Sequence, residues 1–419
     1  MRRCLLLPVA ASLLLVAACS DGDDAGGSGG GATGNGAPEE VQAEPQDFSG
    51  RGPYAVGEID LQLDADHQVA VFYPVDEVPA DAEPYSYSGD SIFGPAISNL
   101  LPGALSDTIT IPDTYVEAPP SADGPFPVVL HSHGFSGNLR FGNRHNADVA
   151  SWGYVVAAVD HPERGVVSIL ESFVSGGEGG ERPDEYLDSD QLLAGLDLVR
   201  AASDPEDTGL LAGVADTERV AAEGHSAGGS ASGTAAYDDR VDLWIGQAPG
   251  APLQPDTDLS QFVSDGGSSL DTAALLEATD PPPVPSLIIA AEGDTVVELD
   301  RVQQTYDWLD TPKRLAVIAD SGHAVFVDPC LPIREEGGLS GFVEDLGLHP
   351  ADVPLVELGE NGCLPEDTDP QEIWPLIDQL TVAQLEEVFG DDPAVGTASL
   401  DPDYLDEQFP GLLADLQQG

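Results

Sequence analysis

Arg219-Val-Ala-Ala-Glu-Gly224-His225-Ser226-Ala227-Gly228-Gly229 is the stretch that decides the fold. Arg219–Ala222 reads as a short buried strand. The G-x-S-x-G that follows runs into small residues that open a helix over Ala227–Tyr237, and strand, turn and helix together are the context of a nucleophile elbow. A serine on so sharp a turn needs Gly224 and Gly228, because the tight backbone leaves no room for side chains against the strand and the helix. The Ser226 hydroxyl then stands above the sheet at a helix N-terminus, where the dipole favours developing negative charge. The His225 side chain is expected to point away from that hydroxyl.

Upstream, Phe126-Pro-Val-Val-Leu-His131-Ser132-His133-Gly134-Phe135-Ser136-Gly137 is an apolar strand that ends in a His-Gly loop. Such a loop supplies one backbone N–H of an oxyanion hole and the residue after the nucleophile supplies the other, which points to Phe135 and Ala227. Downstream, Ser286–Ala291 is a strand followed by Glu292-Gly293-Asp294, and Arg314–Ile318 is a strand followed by Gly322-His323. Serine is a weak nucleophile that needs an imidazole to take its proton, and a carboxylate then fixes the imidazole tautomer. The order Ser226, Asp294, His323 is that of α/β-hydrolases. Glu292 is the rival acid, but Asp294 lies past the strand end and overhangs the site better. Among the other histidines, His131 and His133 are expected to shape strand and loop. His161, like Trp244, is a candidate for the site wall, while His67, His145 and His349 are expected at the surface.

Further strands are expected at Tyr54–Leu63, Gln68–Tyr73, Tyr154–Val159 and Leu243–Gly246, with helices around Asn146–Trp152, Asp188–Ala202 and Val297–Leu309. Near-continuous apolar strands alternating with helices predict a doubly wound, mostly parallel α/β sheet covered on both faces. The expected domain spans 53–390. Two stretches break the rhythm. Residues 254–285 form a candidate lid or rim, with a solvated loop as the equal alternative, and 328–370 form an irregular insertion before a last helix, Pro370–Phe389. An acidic tail is expected over 391–419.

The N-terminus carries Met1-Arg2-Arg3, an apolar run too short to span a bilayer, and Val16-Ala17-Ala18-Cys19, the pattern of an export signal over 1–18. A cysteine directly after two small residues resembles a bacterial lipobox, so Cys19 is expected to be lipidated and the chain exported and membrane-held by that anchor alone. Residues 19–52, rich in Gly, Ser and acidic groups, are expected to be a flexible tether. With Cys4 cleaved and Cys19 acylated, Cys330 and Cys363 remain as a pair, and an exported context permits their disulfide. The formal charge of −61, with Lys313 as the only lysine, argues against nucleic acid, whose phosphates need cationic contacts, and against an electrostatic grip on anionic lipid. No metal-ligand spacing is present.

The segments HSHGFSGN (131–138), SWGYVVAAVDHPERG (151–165), EGHSAGG (223–229), AAEGD (290–294) and DSGHAVF (320–326) resemble the platelet-activating factor acetylhydrolase family and its bacterial relatives among dienelactone-hydrolase-like and polyester-hydrolase-like enzymes. The resemblance runs from about Gly52 to Phe326 plus the final helix. It implies a carboxylic-ester hydrolase without metal or organic cofactor, acting on small-molecule or lipid esters, with Ser226, Asp294, His323, Phe135 and Ala227 in the matching places. The 328–370 insertion departs from the pattern. A polyester hydrolase and a non-catalytic binding protein on the same fold are the competing readings.

Overall fold

Eleven strands build one sheet in the order β11-β10-β9-β8-β7-β5-β6-β2-β1-β4-β3. The computed structural model describes residues 43–92, 108–169, 185–262, 270–345, 349–350 and 353–419. The expected signal at 1–18, Cys19, most of the expected tether and 263–269 of the candidate lid lie outside them. The strands are β1 Ala55–Gln62, β2 Gln68–Val75, β3 Pro84–Ser88, β4 Thr108–Val116, β5 Phe126–Ser132, β6 Val155–Val159, β7 Ala215–His225, β8 Leu243–Gln247, β9 Ser286–Ala291, β10 Lys313–Ile318 and β11 Leu413–Gln418. From β6 to β10 every neighbouring pair is parallel. β2 joins this block antiparallel, as does β11 at the other edge. This is the α/β-hydrolase fold.

The helices used below are α1 Asn143–Ala150, α2 Glu185–Ala202, α3 Ala227–Ala235, α4 Thr272–Ala278, α5 Leu299–Trp308, α6 Cys330–Glu335, α7 Ser340–Asp345, α8 Pro354–Glu360, α9 Pro370–Phe389, α10 Pro393–Ser399 and α11 Pro402–Gln408. Each parallel strand is apolar on both faces because each face is covered. Val129, Val156, Ala221, Ile245 and Ile289 face a core shared with α1 and α9. Val128, Val155, Val220, Trp244 and Ile288 face the opposite core, with Leu192 and Leu196 of α2 and Val302 of α5. The direction of crossover reverses at β5, whose neighbours are β6 and β7. An open α/β sheet has its ligand crevice at the carboxyl ends of the strands at such a point. Ser132 at the end of β5 pairs in register with Gly224 at the end of β7, so the two loops of interest emerge side by side.

Three expectations need correction. Residues 43–52 are not tether: Phe48 is buried, lies edge-on to Trp152 at 4.9 Å, and donates its N–H to Gln379 Oε1 at 2.6 Å. Burying one such side chain is worth about 1.5–3 kcal/mol, and hydrogen bonds from Gln46, Arg51 and Gly52 and to the Gly50 carbonyl add to it. Residues 391–419 are not a tail but α10, α11 and β11, and β11 completes the sheet through backbone bonds to β10. The 328–370 insertion is not irregular, since it holds α6, α7 and α8. In the 254–285 stretch α4 is packed, with Leu275 and Leu276 buried and Trp308 donating to the Thr279 carbonyl at 3.0 Å. No helix of the described residues is long and apolar enough to cross a membrane.

His145, expected at the surface, is buried between the sheet and α9. Its Nε2 meets Glu223 at 3.0 Å and its Nδ1 meets Asp378 at 2.6 Å. Asp378 also pairs with Arg144 at 2.7 Å. Burial lowers the imidazole pKa, but the Glu223 charge and the hydrogen bonds to both carboxylates outweigh it and raise it to about 10. Burial likewise works against the Glu223 charge, yet the His145 cation prevails and holds its carboxyl well below the usual range. His145 is therefore a cation in the folded protein. Its raised value makes its contribution complete below its ordinary pKa of 6.5 and lost as pH climbs through about 10. We expect His145→Gln to cost about 3–5 kcal/mol at pH 6, by leaving buried Glu223 without its principal cation and Asp378 with Arg144 alone. The penalty should shrink between pH 6.5 and 10 in urea unfolding of the two proteins, and a pH-independent penalty would remove His145 from this role.

Candidate active site

β7 delivers Ser226 onto the first turn of α3 in a conformation that L-residues rarely take, φ +56° and ψ −120°. The surrounding backbone explains the two glycines. A Cβ on Gly228 would sit 2.1 Å from the Ser132 carbonyl oxygen, and one on Gly224 would sit 2.3 Å from the Gly228 oxygen. Only bare backbone fits where strand, elbow and the loop after β5 meet.

Asp294 follows β9 and His323 follows β10, and the structure joins both to Ser226. The Ser226 Oγ lies 2.9 Å from His323 Nε2, and His323 Nδ1 lies 2.7 Å from Asp294 Oδ2. The second carboxylate oxygen of Asp294 accepts the N–H groups of Val296 and Val297, each at 2.8 Å. A carboxylate can only accept, so Nδ1 carries the proton and Nε2 is left to accept from the serine. All three side chains are buried. Glu292, the rival acid, is exposed and accepts the Asp320 N–H at 3.2 Å. The His225 ring braces the turn that carries the base. Its Nε2–H donates to the His323 carbonyl at 2.9 Å, and the two rings lie 4.8 Å apart.

Gly134 of the β5 loop packs on the elbow, for a Cβ there would meet the Ser226 Cβ at 3.3 Å. Ala227 opens α3, so its N–H has no acceptor within the helix. Among the described residues the Phe135 N–H has no backbone acceptor either. Phe135 and Ala227 therefore remain the candidate donors to an oxyanion.

His161 and Trp244 do not line a wall. His161 is fully buried under the loop, where its Nδ1–H donates to Gln191 at 2.5 Å and its Nε2 accepts from Ser132 Oγ at 2.9 Å. Its backbone N–H donates to His133 Nε2 at 3.1 Å. Arg164 completes this support. Its Nε pairs with Asp188 at 2.7 Å, and its two terminal nitrogens donate to Ser132 Oγ at 2.9 Å and to the His133 carbonyl. Trp244 is core, donating to the Gly229 carbonyl at 3.1 Å beneath α3. Trp152 packs against Phe48 away from the elbow. His67 is half-buried, and Gln191 donates to its Nε2 at 2.8 Å. His349 is exposed.

Cys330 and Cys363 form a disulfide, both fully buried, with Cα atoms 5.1 Å apart. It packs on Ala324, in the turn His323–Phe326. The sequence carried no signal for the Arg164–Asp188 pair, whose members are remote along the chain.

Residues 42–174 match the model of the family described as platelet-activating factor acetylhydrolase, isoform II. That stretch includes β1 to β6 and Phe135 and ends before Ser226. No curated protein matches. With the mostly parallel sheet, the match is consistent with the α/β-hydrolase fold.

Asp294→Asn should cut kcat by several orders of magnitude, since an amide in place of the carboxylate favours the wrong imidazole tautomer. Glu292→Gln should change it less than about threefold, as expected for an exposed residue making one surface bond. Steady-state rates on a nitrophenyl ester measure both, and the reverse ranking would pass the acid role to Glu292.

Proposed function

We propose that this α/β-hydrolase is a serine esterase that cleaves short- or medium-chain, or phospholipid-like, carboxylic esters through an acyl-enzyme on Ser226. The observation that carries the reading is the unbroken chain Ser226–His323–Asp294 at a strained elbow. Ser226 Oγ attacks the ester carbonyl carbon as its proton passes to His323 Nε2. Asp294 holds the imidazolium by its Nδ1–H, and the new oxyanion turns toward the Phe135 and Ala227 N–H groups. Collapse expels the alkoxide, which takes the proton from Nε2. Water then repeats the sequence on the acyl-enzyme, releasing the acid and restoring the serine.

An ester should be a far better substrate than an amide, because an alkoxide or phenolate departs with little help whereas an amine must be protonated as it leaves. The test presents one acyl group as nitrophenyl ester and as anilide to the wild type and to Ser226→Ala. We expect ester cleavage unaffected by chelator, a much slower anilide, and loss of nearly all turnover in the variant. Comparable rates on the two substrates, or Ser226→Ala within about tenfold of wild type, would overturn the esterase reading.

We also propose that the chain is exported and anchored by lipid at Cys19. The lipobox-like N-terminus supports this, and the buried disulfide suits an oxidising compartment. Radiolabelled palmitate should mark the wild type in membranes, whereas Cys19→Ala should be unlabelled. Equal labelling of both would refute the anchor.

A further inference from the structure

The insertion that departs from the family pattern ends on the acid and base loops. Asn361, just before the disulfide residue Cys363, places its side chain between them. Its Oδ1 accepts the His323 backbone N–H at 2.6 Å and the Thr295 N–H at 3.3 Å, and its Nδ2 donates to the Gly293 carbonyl at 3.3 Å. Its own carbonyl accepts the Ala324 N–H at 2.9 Å. One residue thus contacts both flanks of Asp294 and both ends of the His323 peptide unit. The approach is backbone on backbone: a Cβ on Gly322 would sit 2.5 Å from the Gly362 nitrogen, and Gly362 adopts φ +89°. The Cys330–Cys363 bond ties this strap to α6, directly beneath the His323 turn.

We propose that Asn361 is a positioning residue for the hydrolytic site, holding the Asp294 and His323 loops at the separation their mutual hydrogen bond requires, and that the Cys330–Cys363 disulfide fixes Asn361 in that place. The proposal rests on the triad reading above. Asp294 and His323 stand on loops after different strands, and Asn361 is a direct side-chain bridge between those loops besides the reacting hydrogen bond itself. Displacing reacting groups by about 1 Å can cost about 10²-fold in rate. The effect belongs in kcat, because Asn361 contacts the loops behind the reacting atoms.

The experiment compares wild type with Asn361→Leu, Asn361→Asp, and Cys330→Ser/Cys363→Ser with and without Asn361→Leu. Asn361→Leu has similar size but no acceptor, and should lower kcat by about 10²-fold with KM little changed. Asn361→Asp keeps the oxygen that accepts from His323 and Thr295, and should recover most of that loss. The cysteine variant should reproduce the kcat defect, and Asn361→Leu should add little in that background, since residues acting through one contact are non-additive. A second readout needs no turnover: the low-field proton resonance of the His323 Nδ1–H···Asp294 bond should broaden or vanish in Asn361→Leu and persist in Asn361→Asp. Wild-type kcat and an intact resonance in Asn361→Leu would overturn the proposal, as would equal losses in Leu and Asp variants. If the cysteine variant does not fold, the Asn361 pair decides alone. Ser226→Ala run in parallel tests the esterase reading separately, because its failure would leave the resonance result standing.

Discussion

Ser226 is kept at φ +56°, a conformation costing of the order of 1–3 kcal/mol for a residue with a side chain, and it persists only where the surroundings over-determine it. The surroundings here are the ends of β5 and β7, paired in register at Ser132 and Gly224, with α3 pressed onto the Ser132 and His133 carbonyls through Gly228. The setting of the nucleophile follows from that closure. It lifts the Ser226 side chain above the strand ends, sets the Ala227 N–H at the opening of a helix, and brings Gly134 against the elbow.

Two buried polar networks, one on each face of the sheet, hold the strand ends in place. On one face Glu223, His145, Asp378 and Arg144 alternate in sign from β7 through α1 to α9. On the other, Arg164 and Asp188 form a buried pair that grips the loop through Ser132 and the His133 carbonyl, with His161 alongside. The chain has only 14 Lys and Arg against 75 Asp and Glu, yet it buries Arg164 and half-buries Arg51 and Arg144 in ion pairs. A buried carboxylate without a cation is costly, whereas a surface one is solvated and nearly free of penalty. These three scarce cations therefore sit where buried carboxylates need them.

The acid and base come from the far half of the sheet, where cohesion is arranged differently. Asp294 and His323 stand on loops tied to each other by Asn361, to the elbow by the His225 bond to the His323 carbonyl, and to α9 by the Trp374 indole, which donates to the Val325 carbonyl at 2.7 Å. The disulfide beneath the His323 turn makes the insertion part of the site's frame rather than an appendage.

The sequence by itself determined the parallel core, the elbow, the order of Ser226, Asp294 and His323, the preference for Asp294 over Glu292 and the pairing of the two cysteines. Each was written in a local signal: apolar runs, glycines that a tight turn demands, or elimination among four cysteines. The edge strand β11 was illegible for a physical reason. It buries no side chain fully and is held by backbone bonds to β10, so Leu-Ala-Asp-Leu-Gln-Gln at 413–418 carries no strand period. The docking of 43–52 was hidden likewise, because it rests on one buried Phe48 in a polar tract and on hydrogen bonds to residues far along the chain. Only the tertiary structure could place His161 and Trp244 in the interior, turn His145 from a surface residue into a buried cation, and bring Asn361 to His323 from 38 residues away along the chain. Those assignments depend on which carboxylates, carbonyls and glycines meet in space, and chain order does not encode that.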